Sequence, residues 1–534
     1  MSLKTIMLAA LFTSGALCAS AKDYHYTTVP GDAMQTRIYT LDNGLKVYMS
    51  VNKEKPRLQV NIAVKTGSRN DPAETTGLAH YLEHLMFKGT KKFGTIDAAK
   101  EKPYLDEITR RYETYRKLTD PAQRKQAYHE IDSISQLAAK YNIPNEYDKL
   151  MSSIGSEGTN AYTSNDVTCY VENIPNNEIE NWAKVQSDRF QNMVIRGFHT
   201  ELEAVYEEKN ISMASDATKE FAALWSLLTP THPYGTQTTI GEQEHLKNPS
   251  IINIQNYFHR YYVPNNVAIV MAGDFDPDKT IALIDQYFGS WKKSDNLSRP
   301  EFEAQPAITS VKDTTVVGKE QENMMLAWLF KGVNDQQNDT LDVISDLLAN
   351  GKAGLFEVDL EQKMKLASAG AFNYGLHDYT AFIVQALPNK GQKLEDTRAL
   401  LLDQVERLKK GEFDDNLLAS VINNYKVQQY RALEDNDSRA DMFVNAFIND
   451  QKWEDVVTSL DRVSRITKDQ IVAFANRYFS PESVVTVYKR QGVDSTQKKI
   501  DKPAITAIPS NREYQSQFLT DIMHFILNDK HPYL

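Results

Sequence analysis

The sequence predicts an α+β protein made of two homologous-looking α/β-sandwich domains. Three observations carry this reading. Strand patterns give way to helix patterns across long connections, without the regular alternation of a doubly wound sheet. A helix–proline–strand phrase occurs twice, far apart in the chain. The composition, 41% hydrophobic and 25% charged over 534 residues, suits a chain that buries sizeable cores. A formal charge of −11 opposes nucleic acid and anionic membrane surfaces, and no lysine or arginine run offsets it locally.

Residues 1–21 stand apart from the fold. Lys4 is followed by a short apolar run over 5–17 and by Ala19-Ser20-Ala21. The run falls short of the roughly 20 apolar residues of a membrane span. It reads as a cleaved secretory signal, which implies a periplasmic or extracellular location and no transmembrane segment. Cys18 raises the alternative of a lipidated N-terminus, which bulky Leu17 disfavours. With Cys18 removed, Cys169 is the only cysteine and no intrachain disulfide can form. Its setting over 167–171 reads as a strand, so it is expected to be a small buried hydrophobe.

Residues 37–49 alternate around Asp42-Asn43-Gly44, a hairpin signature, and 58–64 alternate again as a strand. A helix is expected over 76–87, with Thr75 or Thr76 able to cap it. Residues 101–154 read as an inserted helical hairpin. Leu105, Ile108, Tyr112 and Tyr115 form one apolar stripe, Asp120-Pro121 restarts the helix, and Tyr128, Ile131 and Ile134 continue it. The repeated phrase is Arg260-Tyr-Tyr-Val-Pro264 before the apolar run 267–270, and Arg477-Tyr-Phe-Ser-Pro481 before 484–487. Each copy is a helix that ends ahead of a proline and hands over to a buried strand. A second echo pairs 61–64 with 325–329, each followed by a helix. The expected organisation is 22–295, 300–492 and a weakly patterned tail over 493–534, joined through the polar stretch 290–306.

The chemically informative segment is His80-Tyr81-Leu82-Glu83-His84. On a helix, positions i and i+4 share a face, so both imidazoles can reach one ion. Glu83 projects from the edge of that face, where it can touch a water without ligating the metal. A catalytic zinc needs a further protein ligand and an open position. Glu201, Glu203, Glu207 and Glu208 lie in a helical stretch that Thr200 can cap. Glu201 and Glu208 are seven apart and share a face, and spacing does not rank them. Asp274, Asp276 and Asp278 do not make a calcium loop, because Lys279 stands where glycine is required and Asp285 where glutamate is. Asp276-Pro277 is instead a helix start. His199, His232, His245 and His259 have no helical metal partner at i+4, so packing or surface roles are expected.

His-x-x-Glu-His is the reversed zinc motif, and its surroundings resemble the pitrilysin/insulinase family of metallopeptidases. Thr75-Thr-Gly-Leu-Ala-His80-Tyr-Leu-Glu83-His84-Leu-Met-Phe-Lys-Gly-Thr90 is similar to the family signature. Gly158-Thr-Asn160-Ala161-Tyr-Thr-Ser164 resembles its active-site edge strand, Glu203-Ala-Val-Tyr-Glu-Glu208 its third-ligand helix, and His232-Pro-Tyr-Gly235 the turn that follows. The resemblance implies one zinc per chain on His80, His84 and Glu208, with Glu201 an acid behind the ligands. It further implies Glu83 as general base and Asn160 and Ala161 as contacts to substrate backbone. The expected function is an exported zinc metalloendopeptidase acting on peptides or small proteins. The alternative is a non-hydrolytic peptide-binding subunit of a two-chain peptidase, which would not need an intact Glu83. The second domain has one histidine, His377, and matches the family's non-catalytic sister domain. The family fold is a half-chamber, so the resemblance also implies a homodimer, a sister subunit, or a place within a longer protein.

Overall fold

The computed structural model describes residues 22–495, 505–507 and 511–528; the expected signal at 1–21 lies outside them. The first sheet runs β1 (Tyr26–Thr27), β2 (Arg37–Thr40), β3 (Lys46–Val51), β7 (Val267–Gly273), β4 (Arg57–Val64), β6 (Thr168–Pro175) and β5 (Glu157–Thr163), in that spatial order. The second runs β10 (Ser368–Gly375), β11 (Tyr379–Leu387), β9 (Asn323–Lys331), β12 (Val485–Gln491) and β8 (Lys312–Gly318). Starting from β5 and from β10, the two sheets have one topology. In each, the repeated strand (β7 or β12) lies antiparallel to one neighbour and parallel to the other. The two-domain α/β fold expected from the repeat is what the structure shows, with β1 and β2 added to the first sheet.

Both faces of the central strands are covered, and β7 accordingly reads as an unbroken apolar run. Every residue of β7 is buried, as is all of β4 after Arg57. The two halves exchange covers. The helix Asn436–Ile448 lays Phe443, Val444 and Phe447 on Tyr48, Ala63, Cys169 and Val270 of the first sheet. In return the helix Asp216–Leu228 lays Leu224, Trp225 and Leu228 on Met325, Ala327, Val485 and Val487 of the second. Cys169 is buried in this contact, and burial pushes its thiol up to about 12, as suits an inert packing residue.

Three local expectations change. The motif helix, α1, spans Leu78–Leu85 and begins after Gly77, whose φ is 88°. Neither Thr75 nor Thr76 caps it. The buried carboxylate of Asp71 reaches over the turn and accepts from Gly77 N at 2.7 Å and Ala79 N at 3.1 Å. The insertion is three helices rather than two: α2 (Ala98–Tyr115), α3 (Pro121–Ala139) and α4 (Glu146–Ser153). Part of the tail is ordered on that insertion. Thr506 N donates to Asp132 at 3.0 Å, Ser516 N to Glu146 at 2.6 Å, and the helix Gln517–Asn528 buries Leu519 and Ile522 in the first core.

The lobes also meet through charge. His377 Nδ1 lies 2.7 Å from Asp378 and Nε2 lies 3.9 Å from Asp450, which is also paired with buried Lys65. The two carboxylates push the His377 imidazole up to about 9, against burial and Arg69. A raised histidine stabilises fully below its ordinary 6.5 and loses that contribution as pH rises toward 9. Burial pushes Lys65 down to about 8, an effect of opposite slope that begins only above that pH. The thermal midpoint should therefore fall between pH 6.5 and 8, and His377→Asn should make that slope shallower. An identical slope in the variant would refute the assignment.

Candidate metal centre

His80 and His84 lie on one face of α1, whose opposite side packs Leu78, Leu82 and Leu85 into the first core. Facing them is the helix Phe198–Ala214. It starts after Gly197, in the left-handed conformation with φ 63°, so Thr200 is not its cap; the Thr200 hydroxyl donates back to Gly197 O. This helix presents Glu208 and Glu201 to the two histidines at different points.

His80 Nε2 and His84 Nε2 are 3.2 Å apart, and Glu208 Oε2 lies 3.3 Å from the first and 3.5 Å from the second. No other group of His, Cys, Asp or Glu among the described residues converges in this way. Ligand atoms about 2.0–2.1 Å from a tetrahedral zinc lie about 3.3–3.4 Å from one another, so the triangle fits one such ion. The tautomers agree with this. His84 Nδ1 donates to Glu201 Oε1 at 2.8 Å, which leaves its Nε2 a lone pair aimed at the neighbouring imidazole nitrogen.

Glu201 touches only the far nitrogen of His84 and is also paired with Lys88. Burial raises its carboxyl, but His84 and Lys88 outweigh that and hold it below the usual range. The hydrogen bond with His80 likewise holds Glu208 down. Burial opposes charge on His84, yet Glu201, Glu208 and Glu83 together raise it. Glu203 and Glu207 lie outside the cluster.

Glu83 is buried beside the triangle without joining it, and its Oε2 accepts from Thr163 Oγ1 at 2.6 Å. Thr163 ends β5, the strand that carries Asn160 and Ala161. Among the described residues that strand pairs with β6 alone, and no strand lies on its other edge. Both residues line a cleft of about 500 Å³ with His80, Glu83, His84 and Glu208. Phe87, Asn145, Asp148 and Tyr162 also stand in its wall. Thr163, Lys88 and Asp71 are the residues that the spacing argument missed. Each is a single polar residue brought in by tertiary contact, and no local periodicity marks it.

The sequence profile described as "Insulinase (Peptidase family M16)" matches residues 46–102, and "Peptidase M16 inactive domain" matches 252–425. The chain is 25% identical over 465 residues to the zinc protease PqqE of Helicobacter pylori, covering 84% of this chain and 91% of that one. It is 25% identical over 338 residues to the uncharacterized zinc protease YmxG of Bacillus subtilis, covering 62% of this chain and 68% of that one. Among solved structures, a protease from Helicobacter pylori superposes with a TM-score of 0.70 at 22% identity, covering 88% of this chain and 99% of that one. The first half of the periplasmic protease PqqL from Escherichia coli gives 0.64 at 16%, covering 87% and 93%. These likenesses share the two-sheet fold described above. Segments of both lobes thus match models of the insulinase family, peptidase family M16.

Proposed function

We propose that this chain is an exported zinc endopeptidase that hydrolyses extended peptides, with His80, His84 and Glu208 holding one zinc ion and Glu83 as general base. The observation that carries the reading is the triangle of ligand atoms at 3.2–3.5 Å beside a carboxylate oriented by the edge strand. When bound, zinc lowers the pKa of water toward about 7 and polarises the scissile carbonyl. Glu83 takes the proton of the attacking water and returns it to the leaving amine. Thr163 holds one oxygen of that carboxylate and leaves the other for the proton. Glu201 keeps the His84 ring in the tautomer that ligation requires. An extended peptide adds to the free edge of β5 at Asn160 and Ala161, which gives recognition by backbone with little dependence on sequence.

Export is supported by the reading of residues 1–21 and by the periplasmic PqqL among the structural neighbours; no helix among the described residues is long and apolar enough to cross a membrane. The peptide-clamp alternative leaves the Thr163–Glu83 bond without a purpose. Purified from an exporting host, the protein should begin at Lys22, carry one zinc and cleave a quenched peptide. A chelator should abolish cleavage and added zinc restore it. A zinc-loaded protein that binds peptides without cutting any of them would establish the clamp instead.

A further inference from the structure

The second lobe carries no ligand cluster among its described residues, yet the tip of one of its hairpins reaches the turn that follows the edge strand of the proposed site. Leu376, His377 and Asp378 join β10 to β11. Leu376 is buried against the first lobe with Trp225 and Tyr234. At this tip the backbone N–H of His377 donates to Asp166 Oδ2 at 3.0 Å. Asp378 Oδ2 accepts from Arg69 Nη1 at 2.7 Å and from His232 Nε2 at 3.0 Å. Tyr234 OH donates to Asp166 Oδ1 at 2.7 Å, and Arg69 Nε lies 3.1 Å from the same oxygen. Arg69 and Asp166 are almost wholly buried at this contact, with side chains 10% and 7% exposed.

What these groups grip is the turn between β5 and β6. Ser68 N donates to Ser164 O and Arg69 N to Asn165 O, each at 3.0 Å, while Asp166 is the turn residue held by His377 and Tyr234. Gly67 lets the segment approach so closely; a Cβ there would stand 2.3 Å from Ser164 O. One residue before this turn, Thr163 donates to Glu83. Among the described residues strand β5 has a single sheet neighbour, so the clamp on its turn end adds to the packing of α1 and α4 in holding its position.

We propose that Asp378 is a positioning residue, through which the second lobe fixes the edge strand and, by way of Thr163, the Glu83 carboxylate. The inference rests on the peptidase reading for its catalytic consequence, but not for its structural one. Asp378 itself does not line the cleft and touches no reacting group. Removing its carboxylate takes one of the two anions from Arg69, which is then held by Asp166 and Tyr234, and loosens the strand that Glu83 leans on. Displacements of this kind lower rate about tenfold or more without a change of ligands.

The test uses the full-length, zinc-loaded protein with Asp378→Ala, Asp378→Asn, Thr163→Val and the double variants. Asp378→Ala should keep its zinc content and lose about tenfold in kcat/KM. Asp378→Asn, which retains an acceptor for Arg69, should recover part of that loss and serves if the alanine variant does not fold. In the Thr163→Val background the Asp378 substitution should cost little more, because both act through one carboxylate. Hydrogen exchange, which needs no activity, should quicken over 160–168 in Asp378→Ala and stay unchanged in α1. Additive losses, unchanged exchange over 160–168, or loss of zinc would each overturn the proposal. If the unmodified protein hydrolyses nothing, the peptidase reading falls and the exchange measurement alone decides the positioning role.

Discussion

Glu83→Gln should leave zinc content at that of the unmodified protein and lower peptide hydrolysis by about a hundred- to ten-thousandfold, the usual contribution of a positioned general base. Glutamine has nearly the shape of glutamate and can still accept from Thr163 Oγ1 through its carbonyl oxygen. The buried contact is therefore kept, and so is the fold. What disappears is the ability to take a proton. Glu83 stands outside the triangle of His80, His84 and Glu208, so the metal should be undisturbed. The measurement is zinc per chain together with kcat on one quenched peptide, for both proteins. Hydrolysis within a factor of about three of the unmodified rate would remove Glu83 from the mechanism, since a general base cannot be lost so cheaply. Loss of zinc along with activity would place Glu83 among the ligands instead.

The parts of this site that were legible in the sequence are those set by a single helix. His80 and His84 share a face because of helical geometry alone, and the structure brings their Nε2 atoms to 3.2 Å. Glu201 and Glu208 could not be ranked, since seven residues return both to one face. Where two helices cross decides which oxygen meets the Nε2 pair and which meets Nδ1, and crossing is a property of packing. Capping was misread for a related reason. Thr76 is the nearer candidate to α1, but Gly77 at φ 88° turns the chain so that Asp71, six residues earlier, meets the free N–H groups. The Thr76 hydroxyl instead accepts from Glu242 N and lies 2.8 Å from His245 Nδ1. The tail looked weakly patterned because its apolar positions answer to the core of another element. Leu519 and Ile522 enter the first lobe, and Phe518 stacks on Phe93. At fold level the repeat around Pro264 and Pro481 was enough to foresee two matching sheets. The exchange of covering helices between them was not, because Phe443 and Trp225 are apolar whichever sheet they cover.

The pair that spacing left open is separated by the second large effect. Glu208→Gln should abolish stoichiometric zinc binding, whereas Glu201→Gln should weaken it about ten- to a hundredfold and leave a site that fills at higher zinc. The difference follows from position. Glu208 Oε2 forms one vertex of the triangle, 3.3 and 3.5 Å from the two imidazole nitrogens, so replacing it deprives the ion of a ligand and of a negative charge. Glu201 reaches His84 only from behind, at Nδ1, and a glutamine oxygen there still accepts the same hydrogen. What that variant loses is the carboxylate's charge behind the ring and its pairing with Lys88. Thermal unfolding gives a readout independent of catalysis. An ion bound only by the folded state adds about 2.7 kcal/mol at a free concentration a hundred times Kd. The midpoint of the unmodified protein should therefore rise with zinc, that of Glu201→Gln should rise at higher zinc, and that of Glu208→Gln should not move. If Glu208→Gln binds zinc as the unmodified protein does and Glu201→Gln does not, the two glutamates exchange roles and the ligand triangle is wrongly drawn.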